Sequence, residues 1–178
     1  KLIKKITSDI TNISQSFFHK IDLRLRPDLG GTHIVSDFDS AIDYYSSVGR
    51  NWERLAYHRS NFICGNIFLY SSFLNSIKSF LFRRSFDFYA IDEIKKLFER
   101  NKTSKNLDIK NSYGFIRSCE NIIHFNQLLW SGKFNDLRES NIHKLFKRMS
   151  NYKTIINEED LSTIIDAYYY YRKIENYL

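Results

Sequence analysis

One proline and six glycines among 178 residues leave this chain with few built-in breaks. Proline interrupts helices and central strands and glycine loosens both, so their scarcity favours long helical runs over a loop-rich chain. The two cysteines, Cys64 and Cys119, are far apart and lack metal-ligand spacing, which argues against a disulfide framework and against zinc. The five histidines form no HxxxH or HxH pair, there is no serine nucleophile elbow, and Gly30-Gly31 lacks the Lys and Ser/Thr of a Walker loop. No apolar run approaches the roughly 18 residues of a membrane helix, and no signal peptide is visible. A soluble protein of the reducing cytoplasm is expected. Lys1 in first place, with Met149 the only methionine, leads to the expectation that a longer protein extends upstream.

What is present is apolar and basic. Apolar residues make up 43% and aromatics 16%, ample for a packed core. The net charge of +7 invites a polyanion partner, but much of the excess is lysine mixed with Asn, Ile, Phe and Tyr, a usage that also follows from AT-rich coding. No RNP-type, zinc-finger or basic-zipper pattern accompanies it, so nucleic acid is not an expected partner.

Leu2, Ile3, Ile6, Ile10 and Ile13 have helical spacing and lead into Ile21-Asp22-Leu23-Arg24-Leu25-Arg26-Pro27. Read as a strand, this run places Asp22, Arg24 and Arg26 on one face and the aliphatics on the other. An acid and two guanidinium groups in a row suit a metal and a phosphate chain; they equally suit an edge strand with local ion pairs. Gly30-Gly31 marks a turn, Ile34-Val35 a short second strand, and Ser36 or Asp37 a cap for a helix running through Tyr45 that Gly49 would end.

From Asn51 onward the pattern is almost wholly helical. Residues 67–82, 89–100, 114–131, 137–149 and 158–177 carry apolar residues at three-and-four spacing, as in a helical bundle. The expected class is therefore mostly α within an α+β arrangement, with a boundary near residue 65: an α/β remnant over 1–65 and a helical bundle over 66–178. Arg59, about a turn beyond Arg54, is a candidate for the basic wall of a cleft. Arg83 and Arg84 fall at a helix end, where cations are favoured. Tyr168 to Tyr171 reads as packing.

Asp22-Leu23-Arg24-Leu25-Arg26-Pro27 is followed by Asp43-Tyr44-Tyr45 and then by Gly49-Arg50-Asn51-Trp52-Glu53-Arg54 with Ala56 and Arg59. Next come Phe82-Arg83-Arg84, Asp87-Phe88 and Ala90-Ile91, and further on Gly114, Ile116-Arg117 and Glu120. The chain closes on Ala167-Tyr168, Arg172, Ile174, Glu175 and Asn176. This ordered set resembles the bifunctional glutamine synthetase adenylyltransferase/adenylyl-removing enzyme family along essentially the whole chain.

The resemblance implies a nucleotidyltransferase with two related halves, one adding AMP to a tyrosine of glutamine synthetase and one removing it by phosphorolysis. The Gly49–Arg54 and Phe82–Ile91 stretches look more like the removing half; the adding half is the alternative. The resemblance further implies Asp22 as a catalytic metal ligand for Mg2+, with phosphate as co-substrate. Arg24 and Arg26 then become candidates for holding the phosphates of ATP or AMP by their guanidinium forks, and Arg59, on the basic wall, a further candidate contact. Glutamine synthetase is the implied partner, and the family resemblance suggests a nitrogen-signalling regulatory protein as a second. Two upstream acids of the family's metal site are absent from residues 1–21, so this chain alone is expected to be inactive. Thr32-His33-Ile34-Val35 stands where the family has Gly-Pro-Leu-Val, and Phe115 and Ser118 replace a glycine and a glutamate. These departures keep a non-catalytic helical interaction module open as an alternative.

Overall fold

The computed structural model describes residues 36–86, 88–99 and 108–177, together with Lys5, Ser8, Asp9 and Asn12. Among the described residues the chain is helical, with no strand. The run Ile21–Pro27, with Asp22, Arg24 and Arg26, and the pair Ile34-Val35 lie outside the described residues.

Helix α1, Phe38–Ser47, begins at Asp37, whose carboxylate accepts the Ser40 N–H at 3.0 Å and satisfies an otherwise orphan amide. Hydrogen bonding from Ser40 also holds the Asp37 carboxyl below its ordinary pKa. Helix α2, Asn51–His58, is closed at its start by the Glu53 carboxylate, which accepts the Arg50 N–H at 2.8 Å and the Tyr44 hydroxyl at 3.0 Å. The second of these bonds ties α2 to α1. Gly65, at φ 114°, turns the chain between α2 and helix α3, Ile67–Ser76, in a region costly for any side chain with a Cβ.

The helix expected over 67–82 is broken. It ends at Ser76 and resumes as α4, Lys78–Leu81, with Ile77 between them at φ −94° and ψ 11°. The Ser76 hydroxyl bonds back to the Ser72 carbonyl at 3.0 Å, a contact that bends helices. Ile77, freed from helical geometry, is buried with Tyr45, Phe80 and Leu81. Helix α5, Phe88–Glu99, and helix α6, Ile116–Trp130, follow.

The expected 137–149 helix is also shorter. A 3-10 turn at Asn135–Leu137 precedes helix α7, Ile142–Met149, which Asn141 caps by accepting the Lys144 N–H at 3.1 Å. Between them the Leu137 and Glu139 carbonyls receive the Gln127 amide at 2.8 and 2.7 Å. Those carbonyls are thereby satisfied outside any helical ladder, and residues 138–140 stay out of the helix. Helix α8, Glu158–Glu175, is capped by Asn157, whose side chain accepts the Asp160 N–H at 2.7 Å.

Among the described residues two apolar clusters hold these elements. The larger joins Ile116, Cys119 and Ile123 of α6 to Leu137, to Leu145, Phe146 and Met149 of α7, and to Leu161 and Tyr168 of α8. Each such aliphatic or aromatic burial stabilises the fold by roughly 1.5–3 kcal/mol before entropy is subtracted. Helix α6 packs along α8, while α2 packs on α4, α5 and α6. Of the tyrosine cluster, Tyr168 is buried and Tyr171 lies against Phe115, whereas Tyr170 is exposed.

Candidate functional site

Helix α2 carries Arg54 and His58 four residues apart, so both face the interior together. The Arg54 guanidinium is fully buried. Nη1 donates to Asn51 Oδ1 at 3.0 Å, and Nη2 donates to the carbonyls of Leu81 and Leu128 at 3.3 and 3.4 Å. The Phe86 ring lies 4.8 Å from its centre, and among the described residues Nε has no hydrogen-bond partner. Burial, with Arg83 nearby, lowers its pKa to about 10, so it remains charged at neutral pH. Asn51 in turn donates to Glu93 of α5 at 2.7 Å, placing a carboxylate one residue away from the buried cation.

His58 donates from Nε2 to the Leu81 carbonyl at 3.3 Å. Burial drives its pKa down to about 3, against a weaker upward pull from that hydrogen bond. On α6, His124 donates from Nδ1 to Gln127 Oε1 at 2.9 Å, and burial takes its pKa to about 4. Both rings are neutral at pH 7.

Glu120 of α6 is the meeting point of the ionic groups. Its Oε2 lies 3.3 Å from Arg59 Nη2 at the end of α2, and its Oε1 lies 3.0 Å from Arg172 Nη2 of α8. Arg172 also pairs with Glu175 at 2.6 Å and donates to the Tyr168 hydroxyl at 3.2 Å. The chain Arg59–Glu120–Arg172–Glu175 thus fastens three helices with alternating charge.

Beside this network a cleft of about 290 Å³ opens between α2, α3 and the 138–140 segment. Tyr57, His58, Asn61, Tyr70, Phe82 and Arg138 line it. Its mixture of aromatic rings and polar groups suits a small amphipathic ligand. Among the described residues no group of three or more His, Cys, Asp or Glu side chains could hold a metal ion. No described helix is long and apolar enough to cross a membrane.

Of the site residues expected from the sequence, Asp22, Arg24 and Arg26 lie outside the described residues. Arg59 is described, and its guanidinium is half-exposed in the ion pair with Glu120. Sequence reasoning did not single out Arg54, His58, His124 and Gln127 as a buried set. The available signal was their spacing, since 54 and 58, and 120, 124 and 127, each share a helix face with apolar neighbours.

Residues 1–76 match the family model described as glutamate-ammonia ligase adenylyltransferase. The chain is 32% identical over 168 residues to the bifunctional glutamine synthetase adenylyltransferase/adenylyl-removing enzyme of Caulobacter vibrioides, covering 90% of this chain and 17% of that protein. Over its whole length it is 31% identical to the protein of that name from Mannheimia haemolytica, covering 18% of it. The Stenotrophomonas maltophilia protein is 30% identical, again over the whole chain and 19% of the relative. The chain therefore spans less than a fifth of the length of the curated relatives it matches.

Proposed function

From the family match over residues 1–76 and a similarity that runs the length of the chain, we propose that this is a segment of a glutamine synthetase adenylyltransferase/adenylyl-removing enzyme. The observation that carries the reading through the helical part is the convergence of its motif residues. Arg59, Glu120, Arg172 and Glu175, scattered among three separate motifs, meet in one ionic chain.

In this reading the segment is from the half that removes AMP from a tyrosine of glutamine synthetase by phosphorolysis. Asp22 would ligate Mg2+, which, when bound, neutralises phosphate oxygens and fixes their geometry. Arg24 and Arg26 would hold the phosphates of ATP or AMP, because guanidinium forks match phosphate oxygens and stay charged. Arg59 would add a further cationic contact for phosphate, its guanidinium oriented by the ion pair with Glu120. The protein acts in the cytoplasm with glutamine synthetase as its macromolecular substrate, under a nitrogen-signalling regulator. Residues 1–65 supply the end of a nucleotidyltransferase domain and 66–178 the helical bundle behind it.

In the intact protein, Asp22→Ala should lower phosphate-dependent release of AMP from adenylylated glutamine synthetase by at least about 100-fold. Full activity in that variant would defeat the reading. One observation favours a non-catalytic role for the bundle itself: Phe115, where the family has glycine, packs its ring 5.0 Å from Tyr171 instead of leaving room for a backbone approach. Calorimetry with ATP and magnesium on the intact protein separates the two, since an interaction module gives no nucleotide heat that Asp22→Ala abolishes.

A further inference from the structure

The loop joining α4 to α5 exposes two adjacent arginines, Arg83 and Arg84. Among the described residues neither makes an ion pair, whereas Arg59, Arg148 and Arg172 all do. A helix of four residues before them has little dipole to satisfy them.

The backbone beneath the pair is held firmly. Gly132, just past the end of α6, lies so close that a Cβ there would overlap the Arg83 carbonyl oxygen and meet that of Phe82 at 2.9 Å. The Phe82 ring is clasped between the His58 ring, 5.3 Å away and edge-on, and the Arg138 guanidinium, 4.2 Å from its centre. Arg138 is itself fixed by donating from Nε to the Ser131 carbonyl at 2.9 Å. The side chains of Arg83 and Arg84 therefore stand on an anchored support.

Around them opens a shallow depression of about 500 Å³ lined by Ser79, Phe82, Arg83, Arg84 and Ser85. Two hydroxyls and two guanidinium groups are donors for an oxyanion, and no described carboxylate lines the depression. Burial is the main cause that lowers the pKa of Arg138 and of Arg54, and the like charge of Arg84 and of Arg83, respectively, adds to it. The charge of the loop is thus added to by two cations behind it, and an arriving anion relieves repulsion among all four.

We propose that the Ser79–Ser85 segment, the end of α4 and the loop after it, is an anion site that takes the phosphate groups of a small polyphosphate, gripped by Arg83 and Arg84 and rimmed by the hydroxyls of Ser79 and Ser85. The phosphate arrives either free or carried on a nucleoside. This inference rests on the loop alone and stands apart from the roles given to Asp22, Arg24 and Arg26.

The test is titration of the intact protein with tripolyphosphate and, separately, with magnesium-free ATP, at about 150 mM salt so that diffuse attraction is weak. The double variant Arg83→Ala/Arg84→Ala should raise Kd at least about tenfold while the thermal midpoint stays in place, since both side chains are exposed. A loss for both probes assigns the site to phosphate itself, and a loss for ATP alone assigns it to nucleotide-borne phosphate. The control is Lys144→Ala/Lys147→Ala on α7, which removes equal exposed charge elsewhere. Unchanged binding in the arginine variant, or an equal loss in the lysine control, overturns the proposal. Because the readout is binding rather than AMP release, its failure is separable from failure of the Asp22 assignment.

Discussion

Arg172 of α8 places its Nη2 3.0 Å from Oε1 of Glu120 on α6, and the other oxygen of that carboxylate is left for Arg59. Glu120 is 6% exposed, while the two arginines are more than a third exposed on their side chains. The buried partner therefore matters most. Glu120→Ala should destabilise the fold by about 2 kcal/mol, below the roughly 3–5 kcal/mol typical of a fully buried broken pair because water screens both arginines. Arg59→Ala should cost about 0.5–1 kcal/mol. Urea unfolding of both variants and of the double variant checks the order, and equal costs would show that Glu120 is not the hub.

Acid should unfold the protein through His58 and His124. Their pKa values, about 3 and about 4, lie below the ordinary 6.5, so the unfolded chain binds the protons that the folded one refuses. Stability from this source is whole above pH 6.5 and drains as pH falls, levelling out near pH 3 to 4. The slope is roughly 1.4 kcal/mol per pH unit for each ring, or about 2 kcal/mol each by about pH 5. Urea midpoints at about pH 7 and about pH 5 measure it. A protein equally stable at both values would contradict the burial of these rings.

Gly132→Ala should be among the most damaging small substitutions. A Cβ overlapping the Arg83 carbonyl oxygen cannot be relieved by a rotamer change, because the obstacle is backbone. The expected cost is about 1–3 kcal/mol or more, read as a fall in thermal midpoint. Gly49→Ala meets only the Phe80 ring, which is a side chain, and should cost less.

Gln127→Leu should cost about 2–4 kcal/mol by leaving the Leu137 and Glu139 carbonyls and the His124 donor unpaired in the interior. It should also accelerate hydrogen exchange in residues 137–141, whose course depends on those bonds. Unchanged exchange there would mean that the 138–140 segment is held by something else.

Most helices are legible in the sequence. Asp37 caps α1 and Asn157 caps α8 with the spacing their side chains need, and apolar periodicity locates α5, α6 and α8 to within about two residues. Two breaks are not legible. The interruption at Ile77 has no proline or glycine to announce it, and the shortening of the 137–149 helix depends on Gln127, ten residues before Leu137. The same holds for the site. Arg59 stands out by its position in a motif, but its partner Glu120 is distant in sequence, and the burial of Arg54, His58 and His124 follows from which helices pack on α2 and α6.

Local chemistry is written locally: caps, helix faces, the alternation of Asp22, Arg24 and Arg26, and an order of residues that relatives share at about 30% identity. A side chain's charge state, partner and exposure depend instead on groups far along the chain, because burial and ion pairing act through space. Only the packed helices decided that Arg54 is enclosed among carbonyls, that one glutamate serves two arginines, and that Arg83 and Arg84 remain outside facing solvent.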